Sequence, residues 1–328
     1  FSLSLLFWAA GYRQRRYTHK NNIGVKMKKF CYILSLLFLI SSCSVGPLIS
    51  EGEIFKNLTQ ITFDDGDNFS PVISKDGKKL LFVSKRDGDF NIYLKNNPLD
   101  RADVKKTDHK GSDINPCFSP DGNKFCFASD RNGNFDIFVM DVERGFAATQ
   151  ITSSENDDAL PDWSPNGEVI AFSQYSRTDR EWYIWTKNLT NGQITQICKG
   201  ISPIFSIDGK KLFYKRAAKN YYQLWQIDLD GENNTQLTSG DDWGIGSYTL
   251  SPDGKKVLYS TVKSKSFSIT RSNDGMDLWV LNIENGDQIQ ITTHKGSDFD
   301  PAWSSSNDIF FASDRMGKIN IWNFKANF

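Results

Sequence analysis

From about residue 58 to the C-terminus, short apolar runs alternate with turns rich in Pro, Asp, Asn and Gly, and no stretch keeps a helical apolar period. The cleanest cycle runs from Pro116 to Thr152. Pro116–Ser119 predicts a short strand. Pro120-Asp121-Gly122 predicts a turn, because proline presets φ and glycine accepts the positive φ that other residues resist. Lys124–Ser129, with Phe125 and Phe127, predicts a second strand, and Asp130-Arg131-Asn132-Gly133 turns again. Asp136–Val142 reads as a third strand, Glu143-Arg144-Gly145 as a turn, and Thr149–Thr152 as a fourth strand. Four short strands with tight polar turns are the antiparallel meander of a propeller blade.

The cycle recurs. Ser119-Pro120-Asp121-Gly122 returns as Ser164-Pro165-Asn166-Gly167 and Ser251-Pro252-Asp253-Gly254. Weaker copies stand at Ser74-Lys75-Asp76-Gly77, Ser206-Ile207-Asp208-Gly209 and Ser304-Ser305-Ser306-Asn307, at successive separations of 45, 45, 42, 45 and 53 residues. A period in the forties marks a repeat fold whose units bury their faces only against neighbours. The third strand carries an aliphatic-aromatic pair in six places: Ile92-Tyr93, Ile137-Phe138, Ile184-Trp185, Leu224-Trp225, Leu278-Trp279 and Ile321-Trp322. The fourth reads Thr-Gln-Ile-Thr at Thr59–Thr62 and Thr149–Thr152, with relatives at Thr195, Thr235 and Ile289 and a degraded copy at Lys105-Lys106-Thr107. The first element is thus a fourth strand and the last a third strand. Pairing them closes a ring and removes two sheet edges. The predicted fold class is all-β: a six-bladed β-propeller of four-stranded blades, residues 58–328, closed by its N-terminal strand.

Pro161-Asp162-Trp163-Ser164, Ser129-Asp130-Arg131-Asn132-Gly133 and Ser313-Asp314-Arg315-Met316-Gly317 carry a more specific pattern. This pattern resembles the repeats of the TolB-type propeller family, and the resemblance covers about residues 58–328. It implies a non-catalytic propeller that binds an envelope protein, of the peptidoglycan-associated lipoprotein kind, on a loop rim over its central channel. Related repeats occur in propellers attached to serine peptidases and in sugar-lyase propellers. The alternative is therefore a carbohydrate-active or peptide-cleaving propeller with its site in the central funnel. The family's secreted member has an extra α/β domain before its propeller. Here only Ser44–Asn57 separate Cys43 from the first repeat strand.

The N-terminal segment suggests an address. Met27 opens a start, Lys28 and Lys29 form a positive region, and Phe30–Ile40 is an apolar stretch short for a membrane span. Ile40-Ser41-Ser42 then leads directly to Cys43, which resembles a bacterial lipoprotein signal. The expected organisation is 1–26 as a gene-model extension, 27–42 as signal peptide, and 43–57 as a tether acylated at Cys43. The alternative is a plain secretory signal cleaved nearby. Ser44 after the cysteine, by resemblance to enteric lipoproteins, implies the periplasmic side of the outer membrane. The membrane is then contacted only through the lipid.

The chain has 39 basic and 39 acidic side chains, but residues 1–42 hold seven basic ones and no acidic ones. The remainder carries 32 − 39 = −7 formal charges, which argues against nucleic acid as a partner. A monomer is expected.

In a meander, the loop leading into each blade and the loop between its second and third strands share one rim. That places Asp67, His109, Asp113, Asp157, Asp158, Asp241, Asp242, His294 and Asp298 near Arg86, Arg131 and Arg315. Such a rim either pairs its charges internally or presents them to a partner. Arg86, His109, Asp113, Arg131, His294, Asp298 and Arg315 are the partner-binding candidates, on blades six, one and two. Blades four and five have Ala218 and Lys263 in place of the arginine, and the loop Lys263–Gly275 is long.

No metal site or cofactor is expected. His109 and His294 lie two blades apart, and Asp64-Asp65-Gly66-Asp67-Asn68 lacks the spaced carboxylates of a calcium loop. No Gly-x-Ser-x-Gly elbow occurs. Cys117 and Cys126 flank the Asp121-Gly122 turn. A two-residue turn would place them face to face, within disulfide reach. A three-residue turn with a bulge would put them on opposite faces, leaving two buried free thiols, which is the expected outcome.

Overall fold

The computed structural model describes residues 57–144, 147–263 and 275–327. Cys43, the signal segment, Gly145 and the interior of the Lys263–Gly275 loop lie outside the described residues. Within them are 24 strands in six four-stranded antiparallel sheets. The six sheets are the predicted blades, here numbered one to six. Their innermost strands are Asn68–Ile73, Asp113–Phe118, Asp157–Trp163, Ile201–Phe205, Gly244–Leu250 and Asp298–Trp303. Blade six takes its outer strand from the start of the chain: Thr59–Gln60 pairs with Asn320–Lys325, Thr59 opposite Asn323 and Gln60 opposite Trp322.

The second strand of each blade lies in the middle of its sheet. Leu80–Ser84 is buried at every position, and Phe82, Phe125, Phe127, Phe172, Tyr214, Tyr259 and Phe311 are fully buried on the equivalent strands. Adjacent blades cover both faces, so these strands read as continuous apolar runs instead of alternating ones.

The recurrent serine turn is a side-chain bracket. Ser119 Oγ donates to Asp121 Oδ1 (2.6 Å) and accepts from Lys124 N (2.9 Å), while Gly122 N donates to Ser119 O and Gly122 sits at φ 68°. Ser74–Asp76, Ser206–Asp208 and Ser251–Asp253 repeat the Ser-to-Asp bond at 2.6 Å. This bond, with backbone donors, holds Asp76, Asp121, Asp208 and Asp253 below the usual carboxylate range. A second bracket explains the final threonine of the fourth strand. Thr107, Thr152, Thr238 and Thr292 each accept, at 2.9 Å, the backbone N–H of the first aliphatic residue of the third strand. Thr62 does the same for Ile321 across the ring closure.

One expectation is corrected. Ser119 N donates to Lys124 O, so four residues, Pro120–Asn123, form the turn of blade two. An even-numbered turn preserves facing, and Cys117 lies opposite Cys126 in the register instead of on the other face. Both thiols are free, Cys126 buried and Cys117 half-buried.

All six innermost strands carry a β-bulge at one level. In five blades the bulge is an X-Pro pair whose X has positive φ: Ser70 (50°), Asn115 (53°), Leu160 (53°), Ser202 (58°) and Asp300 (48°). Blade five has Gly246-Ser247 there. The bulges turn these positions toward a cavity of about 250 Å³ on the ring axis.

Candidate functional site

The two predicted sets of rim loops meet. Lys85 N donates to Asp67 O, Asp130 N to Ser112 O and Asp314 N to Ser297 O. The arginine of each Ser-Asp-Arg segment then folds inward. Serine ends the second strand, and the arginine two residues later shares its side of the chain and donates Nε back to it: Arg131 to Ser129 (2.9 Å) and Arg315 to Ser313 (2.9 Å). Arg131 Nη2 reaches Asp113 at 2.9 Å, and Arg315 Nη2 reaches Asp298 at 2.8 Å. Both guanidinium groups lie on aromatic rings of the second and third strands. Arg131 is 4.6 Å from the Phe138 centroid, and Arg315 is 5.2 Å from those of Phe311 and Trp322. Arg86 stacks 4.0 Å from the Tyr93 centroid but pairs differently, with Asp64 and Asp103 at 3.0 Å each. Asp113 and Asp298 have no exposed surface, and the three arginine side chains keep only 20, 17 and 6 % of theirs. The predicted residues are thus together on one sector, with the arginines and aspartates acting as brackets that hold the loops.

The aspartate of the same segment fastens the lead-in loop. Asp130 Oδ1 accepts from Ser112 N, and Asp314 Oδ1 from Ser297 N, both at 2.7 Å. Gly111 and Gly296 make this possible, since a Cβ on either would approach those oxygens to 2.3 and 2.5 Å. His109 Nδ1 accepts from Gly111 N, and His294 Nδ1 from Gly296 N, leaving Nε2 to carry the proton. His109 is exposed and His294 half-buried.

Blade three lacks the bracket. Gln174 replaces the serine and donates to Asp158 Oδ1 at 2.9 Å, while Asp158 Oδ2 is buried without a partner. Burial pushes its carboxyl up to about 7. Arg177 turns outward to Asp157 at 3.5 Å, its side chain 55 % exposed. Asp241 pairs with Lys219 on blade four's side of the rim.

Two rim residues escaped the sequence reading. Phe63 (54 % exposed) follows the closing strand, and Met316 (72 % exposed) is in the second loop of blade six. Their two loops are tied by Lys318 Nζ to Asp65 at 2.9 Å. A Phe next to the closing strand and a Met inside Ser-Asp-Arg-Met-Gly were the available signals. The axial cavity was also not foreseen in residue terms. Its signal was Lys215, standing where the other second strands have Val83, Ala128, Ser173, Thr261 and Ala312. Among the described residues, no three His, Cys, Asp or Glu side chains are grouped to hold a metal ion.

Comparison with known proteins places this architecture. Residues 55–242 match the family described as the TolB beta propeller domain. The Tol-Pal system protein TolB of Hahella chejuensis is 34 % identical over 82 residues, 25 % of this chain and 17 % of that relative, so the match spans well under two thirds of the relative's length. A protein described as TolB from Agrobacterium tumefaciens superposes with a TM-score of 0.64 at 18 % identity, over 79 % of this chain and 90 % of that one. Oligogalacturonate lyase from Vibrio parahaemolyticus superposes with a TM-score of 0.59 at 14 % identity, over 85 % of this chain and 95 % of that one. At such identities the two structures share the fold alone. The family match spans more than half of the chain and takes in the repeats of blades one to four, and the chain belongs to the TolB beta propeller domain family.

Proposed function

We propose that this chain is a non-catalytic, lipid-anchored envelope protein whose propeller docks a protein partner on the rim of blades six, one and two. The observation that carries the reading is the asymmetry of that rim. Arginine brackets hold its loops in one geometry on this sector, while Phe63, Met316 and His109 stay exposed on them. Preorganised loops presenting aromatic and Met side chains lower the ordering cost of docking and supply an apolar contact centre. Arg86, Arg131 and Arg315, with Asp113 and Asp298, act in this reading by holding His109 and His294 in place. A Tol-Pal relative supports an envelope location and a partner of the peptidoglycan-associated lipoprotein kind. Cys43 supplies the membrane attachment, on the periplasmic side of the outer membrane. The carbohydrate-active alternative draws on the fold shared with a lyase, which at 14 % identity carries no chemistry across.

The test is titration of the folded chain with a purified peptidoglycan-associated lipoprotein. Met316→Asp and His109→Glu, both at exposed positions, should each weaken binding by about 1–2 kcal/mol without changing the melting temperature. Wild-type affinity in the double variant would move the docking face off this sector.

A further inference from the structure

Just past the bulge, each innermost strand faces its second strand at one equivalent pair of positions. In five blades the second-strand member is Leu81, Ala171, Phe213, Tyr259 or Phe310. In blade two both members are cysteine, Cys117 and Cys126. Among the described residues there is one other cysteine, Cys198, on the outer strand of blade three. Ordinary packing at this level is met without sulfur in the other blades, so cysteine on both sides is a joint departure from the repeat.

The blade's geometry brings the two side chains together. The bulge lies between Ile114 and Cys117, and the turn on the other side has four residues, so no slip separates the cysteines between bulge and turn. Directly opposed residues of an antiparallel pair project to one face, with Cα atoms about 4.5–5.5 Å apart. That separation is inside the roughly 4.4–6.8 Å window that a disulfide spans. The thiols also touch: contact with Cys126, and then burial, raises the Cys117 thiol well above its ordinary range. Cys117 Sγ otherwise makes only long bonds, to Asp162 Oδ1 of blade three at 3.4 Å and to Phe118 O at 3.5 Å.

We propose that Cys117 and Cys126 are a covalent modification site, closing into a cross-strand disulfide of blade two when the chain folds in the presence of a disulfide oxidant such as oxidised glutathione. The thiolate of one cysteine attacks a sulfur of the oxidant and displaces one thiolate. The thiolate of the second cysteine then attacks the mixed disulfide and displaces the other. The pair gives up two electrons and two protons, the oxidant's S–S bond is reduced to two thiols, and one S–S bond forms in the blade. Cys126 has no exposed surface and the Cys117 thiol is held protonated, so exchange in the folded, reduced chain is slow. The bridge is therefore set while the strands assemble, and burial afterwards shields it. Closing it exchanges the long S–H contact with Asp162 for a covalent tie between the first two strands. The chemistry needs only the oxidant, so it stands or falls apart from the envelope location and the docking rim.

The experiment is cell-free synthesis of the full chain in two mixes, one buffered with oxidised and reduced glutathione and one with reduced glutathione alone. Free thiols in the soluble chain are blocked with iodoacetamide in denaturant, and trypsin then cuts at Lys110, Lys124 and Arg131. The two cysteines fall on separate fragments, residues 111–124 and 125–131. In the oxidising mix most of both fragments should run as one linked species, two hydrogens lighter than their sum, that parts on reduction. In the reducing mix both should carry the block. Cys126→Ala, which installs the residue that blade three has at Ala171, should leave Cys117 blocked in both mixes. Both fragments mostly blocked after oxidising synthesis overturns the proposal. So does either cysteine linked mainly to Cys198 or to another cysteine instead of to its facing partner.

Discussion

Deleting residues 58–62 should unzip the ring, and the cost can be worked from the closure itself. Ile61 is 2 % exposed, and its burial is worth about 2–3 kcal/mol. Besides the ladder of Thr59–Gln60 with Trp322 and Asn323, three bonds vanish: Ile61 N to Ile321 O at 2.8 Å, Ile321 N to Thr62 Oγ at 2.9 Å, and Thr62 Oγ to Asn320 Oδ1 at 3.1 Å. Each contributes about 0.5–1.5 kcal/mol net. Half-buried Leu58, packed against the cluster that includes Phe311 and Phe324, adds about 1 kcal/mol. The sum without the ladder, about 5–8 kcal/mol, is already a large part of the roughly 5–15 kcal/mol that stabilises a domain. Urea denaturation followed by tryptophan fluorescence, on the parent and the deletion, measures it. The deletion should unfold in buffer or at a much lower midpoint. Thr62→Val isolates one component. It strips the hydroxyl, leaves Ile321 N–H unpaired in the core, and should cost about 1–3 kcal/mol, like Thr107→Val and Thr152→Val within single blades. Coincident midpoints for parent and deletion would refute the closure energetics, and a neutral Thr62→Val beside costly Thr107→Val would show that the closing strand contributes little.

Three further outcomes are expected. Arg131→Met leaves Asp113 buried without its counter-charge and should cost about 3–5 kcal/mol by thermal melting; a loss under 1 kcal/mol would return this arginine to direct partner contact. Burial raises Asp158 from 3.8 to about 7 and Asp162 from 3.8 to about 6, so between those values the folded chain holds protons that the unfolded chain has released. The contribution of these two groups to stability is therefore greatest below the ordinary carboxylate range and falls as pH rises through about 6–7; Asp158→Asn should remove about 2–4 kcal/mol of that pH-dependent change, and an unchanged dependence in melts from pH 4 to 7.5 would count against a protonated Asp158. Cys43→Ala should release the protein from membranes or leave its signal uncut, since lipid supplies the affinity; unchanged fractionation and unchanged mass would remove the lipid anchor.

What was legible in the sequence was local chemistry repeated at a fixed period. Ser-Pro-Asp-Gly names its turn because proline, glycine and a serine-aspartate bond act within four residues. The aliphatic-aromatic pairs name the third strand because its flanking turns are equally local. Ring closure was legible too, since an unmatched fourth strand at one end and a missing one at the other have one mutual solution. Tertiary structure decided the rest. Whether Cys117 faced Cys126 turned on one residue of turn length, and Ser119–Lys124 pairing made the turn four residues. Spacing put the arginines on one rim but could not say whether they reached out or in. Phe138 and Trp322, one strand away, offered rings to stack on, and buried Asp113 and Asp298 needed a counter-charge. The axial cavity depended least on local pattern. Lys215 and Gly246 are 31 residues apart in the chain, and Asp300 comes from a third blade. No periodicity links them, because only the closed ring brings their blades to a common axis.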